Sequence, residues 1–595
     1  MVKVIGLDFE TALKRFVPVM RGKSVVVGQQ VPISYQLYSE DVKLNPKSKQ
    51  PSVFGTILER LENYFSRRTV GSIFVSANLC FDTAILTQIL SNKNVSITCY
   101  YSKSRPIKTI IQDQHGRKWK IIDLFNIYGR IGLGKIGQLV GLEKLSKPKW
   151  LGIRPPLNSQ EWEYLKQYGI RDAQIHYLGY KKICDFWGIT PYTSGGLALK
   201  HFKKHSGFRF KFPRFKEEVL KKWGNAYRGG RSECFVRGSV FGKVYYYDVN
   251  ALYPYVMTVG SFPLISKEKD GMYVKKHDVN LDREGIAKVI IYQDHDIPPL
   301  GVKRNVSIKL PKLGKTFQPR LVFPRGMVCD WFTYPELRYL EQSGHGFVVK
   351  VLEAYEWKYS FNPFKNWISS LLEVREKNPQ LKYLVKIPLN SLYGKLGERR
   401  CSRVVQIAEG KVVKVYPDLN SSIVYAKHSC LPWAAYITAL GRLHLHNIIK
   451  KCNYDIYYCD TDSVFTSRSL DTSGKMGELG IKYQTESDAQ SVFIRSKFYI
   501  VGDLVRCRGW NSPPPAHVVK AMLLSDKLEV EQVCFASVLQ ACRLNVPPAT
   551  QLTVKKIITT GEDGKRIYFK CLRSSELLTD ISESEPVTLK EGWFE

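Results

Sequence analysis

The stretch YYCDTDSVF, residues 457–465, sets two aspartates inside otherwise apolar sequence. Asp460 and Asp462 stand two apart, and on a strand residues i and i+2 face the same way. Both carboxylates would then share one face and repel each other. Placing them together is costly unless something positive lies between or opposite them. A hard cation such as Mg²⁺ meets that need, because it takes carboxylate oxygens. The ordinary alternative is a surface β-turn, where Asp, Thr and Ser are common. This stretch alone favours the turn slightly, and the rest of the chain must decide.

A second acid interrupts an apolar strand at YYYDVNALYPYVM, residues 245–257. If Asp248 and Asp462 meet in space, and Val249 offers its backbone carbonyl, the two segments can hold two Mg²⁺ ions. Such a pair clamps a triphosphate and the attacking oxygen of an in-line displacement. Alone, Asp248 is an ordinary strand-end residue. A third element is KIPLNSLYGK, residues 386–395. Read as a helix, it puts Lys386, Asn390 and Tyr393 on one face. A lysine there can grip phosphate as a point charge, and a tyrosine can stack on a base. Ser391 and Gly394 leave room for a nucleotide. Lys382 and Arg375 extend the basic stripe backwards. For this helix alone, a solvated cationic face is the default reading.

The formal net charge of +35 points to acidic partners, with nucleic acid first. The basic residues are spread through the chain, as in 200–216 and 397–403, with aromatic residues interleaved as stacking surfaces. At 595 residues the chain needs several cores, and 44% hydrophobic with 24% charged residues is a globular balance. No apolar run is long enough to span a bilayer, and MVKVIGLDFET lacks the apolar core of a signal peptide. Thirteen scattered cysteines, with no CxxC pair, argue for reduced thiols in an intracellular setting. They argue against a disulfide framework or a zinc ribbon.

To about residue 190, strands and helices alternate: KVIGLDFE, a helix through TILERLENYF, SIFVSAN, a helix from FDTAILTQIL, KIIDLF, and a helix from SQEWEYLKQYGIRD onward. This is an α/β domain. PYTSGG, 191–196, opens a new one. A strand hairpin is expected around GKVYYYDVN, 242–250. Two helices beginning Asn-Pro follow, then a strand-rich stretch, VVQIAEGKVVKVYP, and the helix WAAYITALGRLHLHNIIKK. The first domain has its own acids. LDFET places Asp8 and Glu10 on one strand face. NLCFD carries Asn78 and Asp82, and YGIRD carries Tyr168 and Asp172 at i and i+4 on a helix. Four acids from three segments can hold two metals and activate a water for phosphodiester hydrolysis, with Tyr168 orienting that water. Each motif alone is weak.

DVNALYPYVM, KIPLNSLYG and YCDTDS occur in that order and are similar to motifs A, B and C of family B DNA polymerases (Dx₂SLYP, Kx₃NSxYG and YxDTDS). Ala251 stands where motif A usually has serine. LDFET, NLCFD and YGIRD resemble the ExoI, ExoII and ExoIII motifs of the DEDDy 3′–5′ exonucleases that precede such polymerases. The resemblance implies that Asp248, Val249 and Asp462 hold metal and that Asp460 assists. Tyr253 would lie beneath the deoxyribose and exclude a 2′-hydroxyl. Lys386 would hold the triphosphate, with Lys382 and Arg375 nearby, while Asn390 and Tyr393 line the nucleotide. In the exonuclease, Asp8, Glu10, Asp82, Asp172 and Tyr168 would be catalytic, with Asp8, Glu10 and Asp172 on the metal. Asn78 and Phe81 would meet the primer end, with Leu79 packing beside them. Ala77 replaces the family's usual His or Thr. Lys144 or Lys147 would supply a basic residue. Tyr227, Gly229 and Gly230 match the YxGG motif, and Lys497 and Tyr499 match KxY; both are DNA contacts in the family.

The implied architecture is α/β and multi-domain: an RNase H-like DEDDy exonuclease followed by a right-hand polymerase. The exonuclease would occupy 1–190 and the palm 191–260 and 426–530. A TPR1-like insertion with its palm connection would occupy 261–360, the fingers 361–397, a TPR2-like insertion 398–425, and the thumb 531–595. Asp248 and Lys386 lie 138 positions apart, a spacing that resembles the protein-primed subgroup of bacteriophages, adenoviruses and linear plasmids. That subgroup implies template-primer DNA, dNTPs and a terminal priming protein as partners, and two Mg²⁺ per site, replaceable by Mn²⁺. It also implies a monomer without membrane association, encoded by a virus or linear plasmid and acting inside the host cell. A relative using an ordinary primer, or none, and a catalytically silent nucleic-acid clamp are the alternatives. The intact acids argue against the clamp.

Overall fold

The N-terminal acids stand on a strand, Val4–Arg21, that runs well beyond the expected KVIGLDFE. It pairs in parallel with Ile73–Ser76, which pairs in parallel with Lys118–Asp123, and it runs antiparallel to Ser24–Tyr38. The helix Ser159–Trp187 lies across this sheet. Their close approach depends on Gly6, where a Cβ would lie 1.9 Å from the Ala173 carbonyl oxygen. Only a residue without a side chain lets the helix settle there, and Asp172 is thereby lowered onto the strand that carries Asp8 and Glu10. The computed structural model describes all residues except 1, 22–23, 47, 91–92, 103–104, 130, 208–214, 266–271, 276–277, 311–313, 401, 409–410, 417–423, 511, 526–527 and 590–595.

This sheet has eleven strands and is not built from residues 1–190 alone. At one edge Val95–Ser102 pairs with Ser402–Ala408, which pairs with Lys411–Tyr416. At the other edge Ser24–Tyr38 pairs with Thr550–Ile557, which pairs with Glu529–Phe535. Both edges of the N-terminal sheet are thus covered by hairpins from far along the chain, which satisfies backbone groups that would otherwise stand open. Part of the 398–425 segment and part of the basic stretch 200–216 lie outside the described residues.

The second acids lie on a five-stranded sheet ordered Leu479–Gln484, Tyr245–Val249, Ser463–Thr466, Tyr458–Asp460, Ser232–Cys234. The helices Leu431–Lys451 and Leu252–Val259 pack together beneath it around Val249, Val256, Met257 and Ala435. Beside it, Lys382–Leu396 packs on Ser194–His205. The 261–360 stretch folds mainly as strands: Glu284–Gln293, Gly326–Thr333 and Gly346–Trp357 form a sheet with Met272–Lys275. Val302–Leu310 and Gly314–Val322 form a separate hairpin. A six-stranded sheet joins Val236–Phe241 and Gln490–Arg495 to the C-terminal strands Arg566–Tyr568 and Ile581–Pro586.

Three local expectations need correction. The strands Val236–Phe241 and Tyr245–Val249 do not form a hairpin, since they enter different sheets. TILERLENYF forms 3₁₀ turns over Leu58–Tyr64, not an α-helix. The strand through Asp248 ends at Val249, and Tyr253 and Pro254 lie in the first turn of a helix. That first turn lacks hydrogen-bonded N–H partners, so proline is tolerated there.

Candidate active sites

The DTD segment is a tight hairpin. Tyr458 pairs with Phe465, Cys459 with Val464 and Asp460 with Ser463, leaving Thr461 and Asp462 as the tip. The turn reading of this stretch was right for the backbone, and the shared strand face was not. Thr461 is left-handed, with φ of 65°, so the i, i+2 rule fails across it and the two carboxylates part. Asp460 pairs with Lys497, whose Nζ donates to both carboxylate oxygens at 2.7 and 2.6 Å. Asp462 instead feels the charge of Asp248. The neighbouring strands are tied where they meet, the Val249 N–H donating to the Asp462 carbonyl at 2.7 Å.

Burial pushes the Asp462 carboxyl up to about 6, and the Asp248 charge adds to the rise. Asp248 is likewise raised by burial, against the pull of Lys482 and Lys386. Lys382, Lys386 and Asn390 are exposed along one face of their helix, as the spacing predicts. Arg375 is half-buried on the preceding helix, Lys365–Lys377. The rings of Tyr253 and Tyr393 stack with centroids 4.1 Å apart, joining the short helix after Asp248 to the helix that carries Lys386.

At the N-terminal site, Asp8, Glu10 and Asp172 offer carboxylate oxygens within 4.8 Å of one another. Burial first, and then mutual repulsion, raises Asp8 far above the usual carboxylate range and Glu10 to about 8. Asp82 is buried on the helix Leu79–Leu90, outside that trio, and its charge still acts on Asp8. Among the described residues, one carboxylate oxygen each of Asp82 and Asp172 is buried without a hydrogen-bond partner. Crowded, raised and unsatisfied oxygens fit a hard divalent cation. Lys144 pairs with Asp172 and donates to the Tyr168 hydroxyl at 3.0 Å, so it is the lysine that engages this cluster directly. Lys147 lines the adjoining cleft, about 610 Å³ in volume, together with Glu10, Asn78, Phe81 and Phe535. Asn78 is left-handed, with φ of 72°, and its N–H donates to Asp123. Leu79 is fully buried as a packing residue.

The model of the family "DNA polymerase type B, organellar and viral" matches residues 159–472, more than half of the chain. The chain belongs to the organellar and viral type B DNA polymerases. A probable DNA polymerase of Neurospora intermedia is 26% identical over 395 residues, which cover 57% of this chain and 38% of that protein. The DNA polymerase of Bacillus phage phi29 is 25% identical over 321 residues, covering 52% of this chain and 53% of its own length. The matched part therefore spans about half or less of these two relatives. A solved structure of phi29 DNA polymerase complexed with primer-template DNA and incoming nucleotide substrates superposes with a TM-score of 0.67 at 17% identity, covering 94% of this chain and 100% of that one. The fold of this type B polymerase is therefore the α/β, multi-domain arrangement expected from its motifs.

The YRGGR segment lies under the DTD turn. The Thr461 N–H donates to the Arg231 carbonyl at 2.6 Å, and a Cβ on Gly230 would fall 2.7 Å from the Thr461 side chain. Tyr227 lies against Gly397, just past the Lys386 helix. Arg442 donates to the Arg228 and Gly229 carbonyls and pairs with Glu336, both charges buried. Removing one partner of such a pair costs about 3–5 kcal/mol, because the other charge is stranded. Gly229 itself is exposed.

Two lysines were missed from sequence. Lys303 donates to the Tyr227 carbonyl at 2.9 Å, and burial, followed by Arg228, Arg399 and Arg442, holds its amine down to about 8. Lys482 acts on both Asp248 and Asp462. Neither lies in a motif, and each arrives through a distant strand, so no local pattern marks them. Tyr499, expected as a DNA contact, is instead buried against Tyr458 and Phe465 beneath the hairpin. Lys497 has φ of 65°, which breaks the alternation that would have kept Tyr499 on its face.

Raised acids make stability fall with rising pH, since the folded state keeps protons that the unfolded state releases. Glu10 keeps its proton to about 8, against an ordinary value of 4.5. In a chelator, the thermal transition of the domain should therefore drop as pH rises from about 5 to about 8. Asp8→Asn with Glu10→Gln should flatten that slope, melting above wild type at pH 8 and close to it at pH 5. Equal slopes in melting curves of the two proteins would show that the trio is not charged against itself.

Proposed function

We propose that this chain is a DNA-directed DNA polymerase with a separate 3′–5′ proofreading site, and that it starts synthesis from a terminal protein. The observation that carries the reading is that Asp462, at the tip of the hairpin, lies within reach of the charge of Asp248 on the neighbouring strand, which Lys386 also reaches. The phi29 enzyme, of the same fold, is known with primer-template DNA and incoming nucleotides, which supports the same partners here. A source in a virus or linear plasmid fits the phage relative. The five-stranded sheet is then the palm, the helices Lys365–Lys377 and Lys382–Leu396 are the fingers, and residues 531–595 contribute the thumb. The insertion over 261–360, with its own sheet and hairpin, is the surface offered to the terminal protein, and 398–425 is the second insertion.

In the polymerase site, bound Mg²⁺, or Mn²⁺ in its place, would polarise the transferred phosphoryl group. Asp248 and Asp462 would hold that ion, with the Val249 carbonyl beside them. Asp460 assists by fixing Lys497 near the primer end. Lys386 neutralises the triphosphate, with Lys382 and Arg375 contributing to the field around it, and Asn390 and Tyr393 line the base and sugar. The stacked Tyr253 forms the floor beneath the sugar. In the proofreading site, Asp8, Glu10 and Asp172 form the cradle, with Asp82 behind. Tyr168, whose hydroxyl accepts from Lys144, turns its own proton towards the attacking water. Asn78 and Phe81 flank the entering strand. The two sites stand on different sheets, so each can be disabled separately.

Asp462→Ala should lower Mg²⁺-dependent dNTP incorporation by roughly a thousandfold, the loss of several kcal/mol of transition-state stabilisation. Primer-template affinity should stay near wild type in gel shifts, because lysine and arginine contacts to phosphate supply it. Substantial incorporation by this variant would sink the assignment.

Asp8→Ala with Glu10→Ala should remove degradation of a labelled 3′ end and spare extension. Undiminished degradation would mean that the N-terminal trio is not a nuclease site.

Tyr253→Val should open the volume that a ribose 2′-hydroxyl needs. Discrimination by a clash is lost when the clashing group is removed. The kcat/KM ratio for rATP over dATP should rise on the order of a hundredfold, with a smaller fall in dATP use. An unchanged ratio would show that Tyr253 does not face the sugar.

A further inference from the structure

Lys482 belongs to no motif, yet the register of the central sheet brings it to the acids. The strand Leu479–Gln484 lies at the sheet edge, antiparallel to the strand of Asp248. Gly480 pairs with Asp248, Ile481 with Tyr247 and Tyr483 with Tyr246, so Lys482 is the extra residue of a β-bulge. A bulge frees one residue from the ladder and re-aims its side chain, which is why bulges recur beside active sites. The backbone around it is fixed. The Asn250 N–H donates to the Glu478 carbonyl at 2.9 Å, and the Gly477 N–H donates to the Asn250 carbonyl at 2.8 Å. The Lys482 side chain is exposed, and no hydrogen bond or ion pair engages it among the described residues. Its charge nonetheless reaches both acids, acting on Asp248 ahead of Lys386.

The three lysines around the acids are not equivalent. Lys497 is committed to Asp460 on one side of the Asp248–Asp462 pair. Lys482 stands at the opposite edge of the sheet, beyond the Asp248 strand. Lys386 approaches Asp248 from the neighbouring helix. In an in-line phosphoryl transfer, the attacking and leaving oxygens lie on opposite sides of the phosphorus. The bond from the primer 3′ oxygen to the α-phosphorus forms as the bond to the bridging oxygen breaks. Pyrophosphate leaves with that electron pair, and the hydroxyl proton passes to water. Lys497 marks the primer side, so Lys386 and Lys482 share the leaving side.

Building on the polymerase reading above, we propose that Lys482 binds the β,γ-phosphates of the incoming nucleotide and the departing pyrophosphate, closing with Lys386 a two-lysine clamp across the Asp248 strand. A compact ammonium suits this role, because it can follow the phosphates as they separate. The clamp acts most strongly where the leaving group gains charge.

The test compares wild type, Lys482→Gln and Lys482→Arg on one primer-template. Lys482→Gln should raise the KM for dNTP about tenfold. It should raise by a similar factor the pyrophosphate concentration that half-saturates the reverse reaction. The dNTP concentration needed to hold a complex on a dideoxy-terminated primer, which requires no turnover, should rise in parallel. DNA affinity and 3′–5′ degradation should stay at wild-type values, which also shows that the variant is folded. Lys482→Arg should recover most of the loss. Unchanged nucleotide and pyrophosphate constants would overturn the proposal, as would a weakened DNA affinity with normal nucleotide constants. If wild type itself incorporates no dNTP, the polymerase reading fails, and the clamp falls with it for that reason alone.

Discussion

The hydrogen bond from the Val249 N–H to the Asp462 carbonyl joins the strand of Asp248 to the hairpin tip that carries Asp462. Everything around it keeps that junction rigid. On one side Thr461 is held by the Arg231 carbonyl, and Gly230 leaves just enough room for it. Beneath, buried Arg442 holds the Arg228 and Gly229 carbonyls and is itself balanced by Glu336. On the other side Asn250 is tied to the loop before Leu479. Both carboxyls are partly buried at this junction, and the Asp248 charge raises Asp462 further, against the pull of Lys482.

The N-terminal site solves the same problem with different parts. There the helix Ser159–Trp187 is pulled onto the strand at Gly6, and Asp172 comes down with it. The sheet below is closed at both edges by hairpins from residues 402–416 and 529–557. Phe535, at the end of the second hairpin, meets Phe81 edge-to-face with centroids 5.6 Å apart at the mouth of the cleft. A movement of the C-terminal hairpin would therefore be felt at the cleft entrance, and neither edge can open without breaking a ladder of backbone hydrogen bonds.

The acids of both sites were picked out in sequence by the order of motifs that resemble those of family B polymerases, since each acid alone has an ordinary reading. The helix of Lys386 was legible from its 3.6-residue period, since Lys382, Lys386 and Asn390 do share an exposed face. Lys303 and Lys482 carried no such signal. Each lies on a strand and gains meaning only from segments far away in the chain. The edge hairpins of the N-terminal sheet were hidden for the same reason: a strand's propensity says that it will pair and not with which strand.

Three of the local misreadings, at the DTD turn, at the end of the Asp248 strand and at Tyr499, share one cause. Eight non-glycine residues among those described have positive φ, and four of them are Asn78, Ala251, Thr461 and Lys497. Each lies in one of the sequence motifs, and each ends a regular run of alternating side chains. Asn78 tolerates this conformation well, whereas a β-branched threonine does so only under constraint. At Thr461 the constraint is the Arg231 carbonyl and the floor at Gly230. At Ala251, where the family usually has serine, the strand of Asp248 is turned into the helix that presents Tyr253. Such residues cost of order 1–3 kcal/mol each and persist only where the surroundings over-determine them. The chain accepts that cost where the backbone must turn sharply, at the N-terminal cleft in Asn78 and around the central acids in Ala251, Thr461 and Lys497.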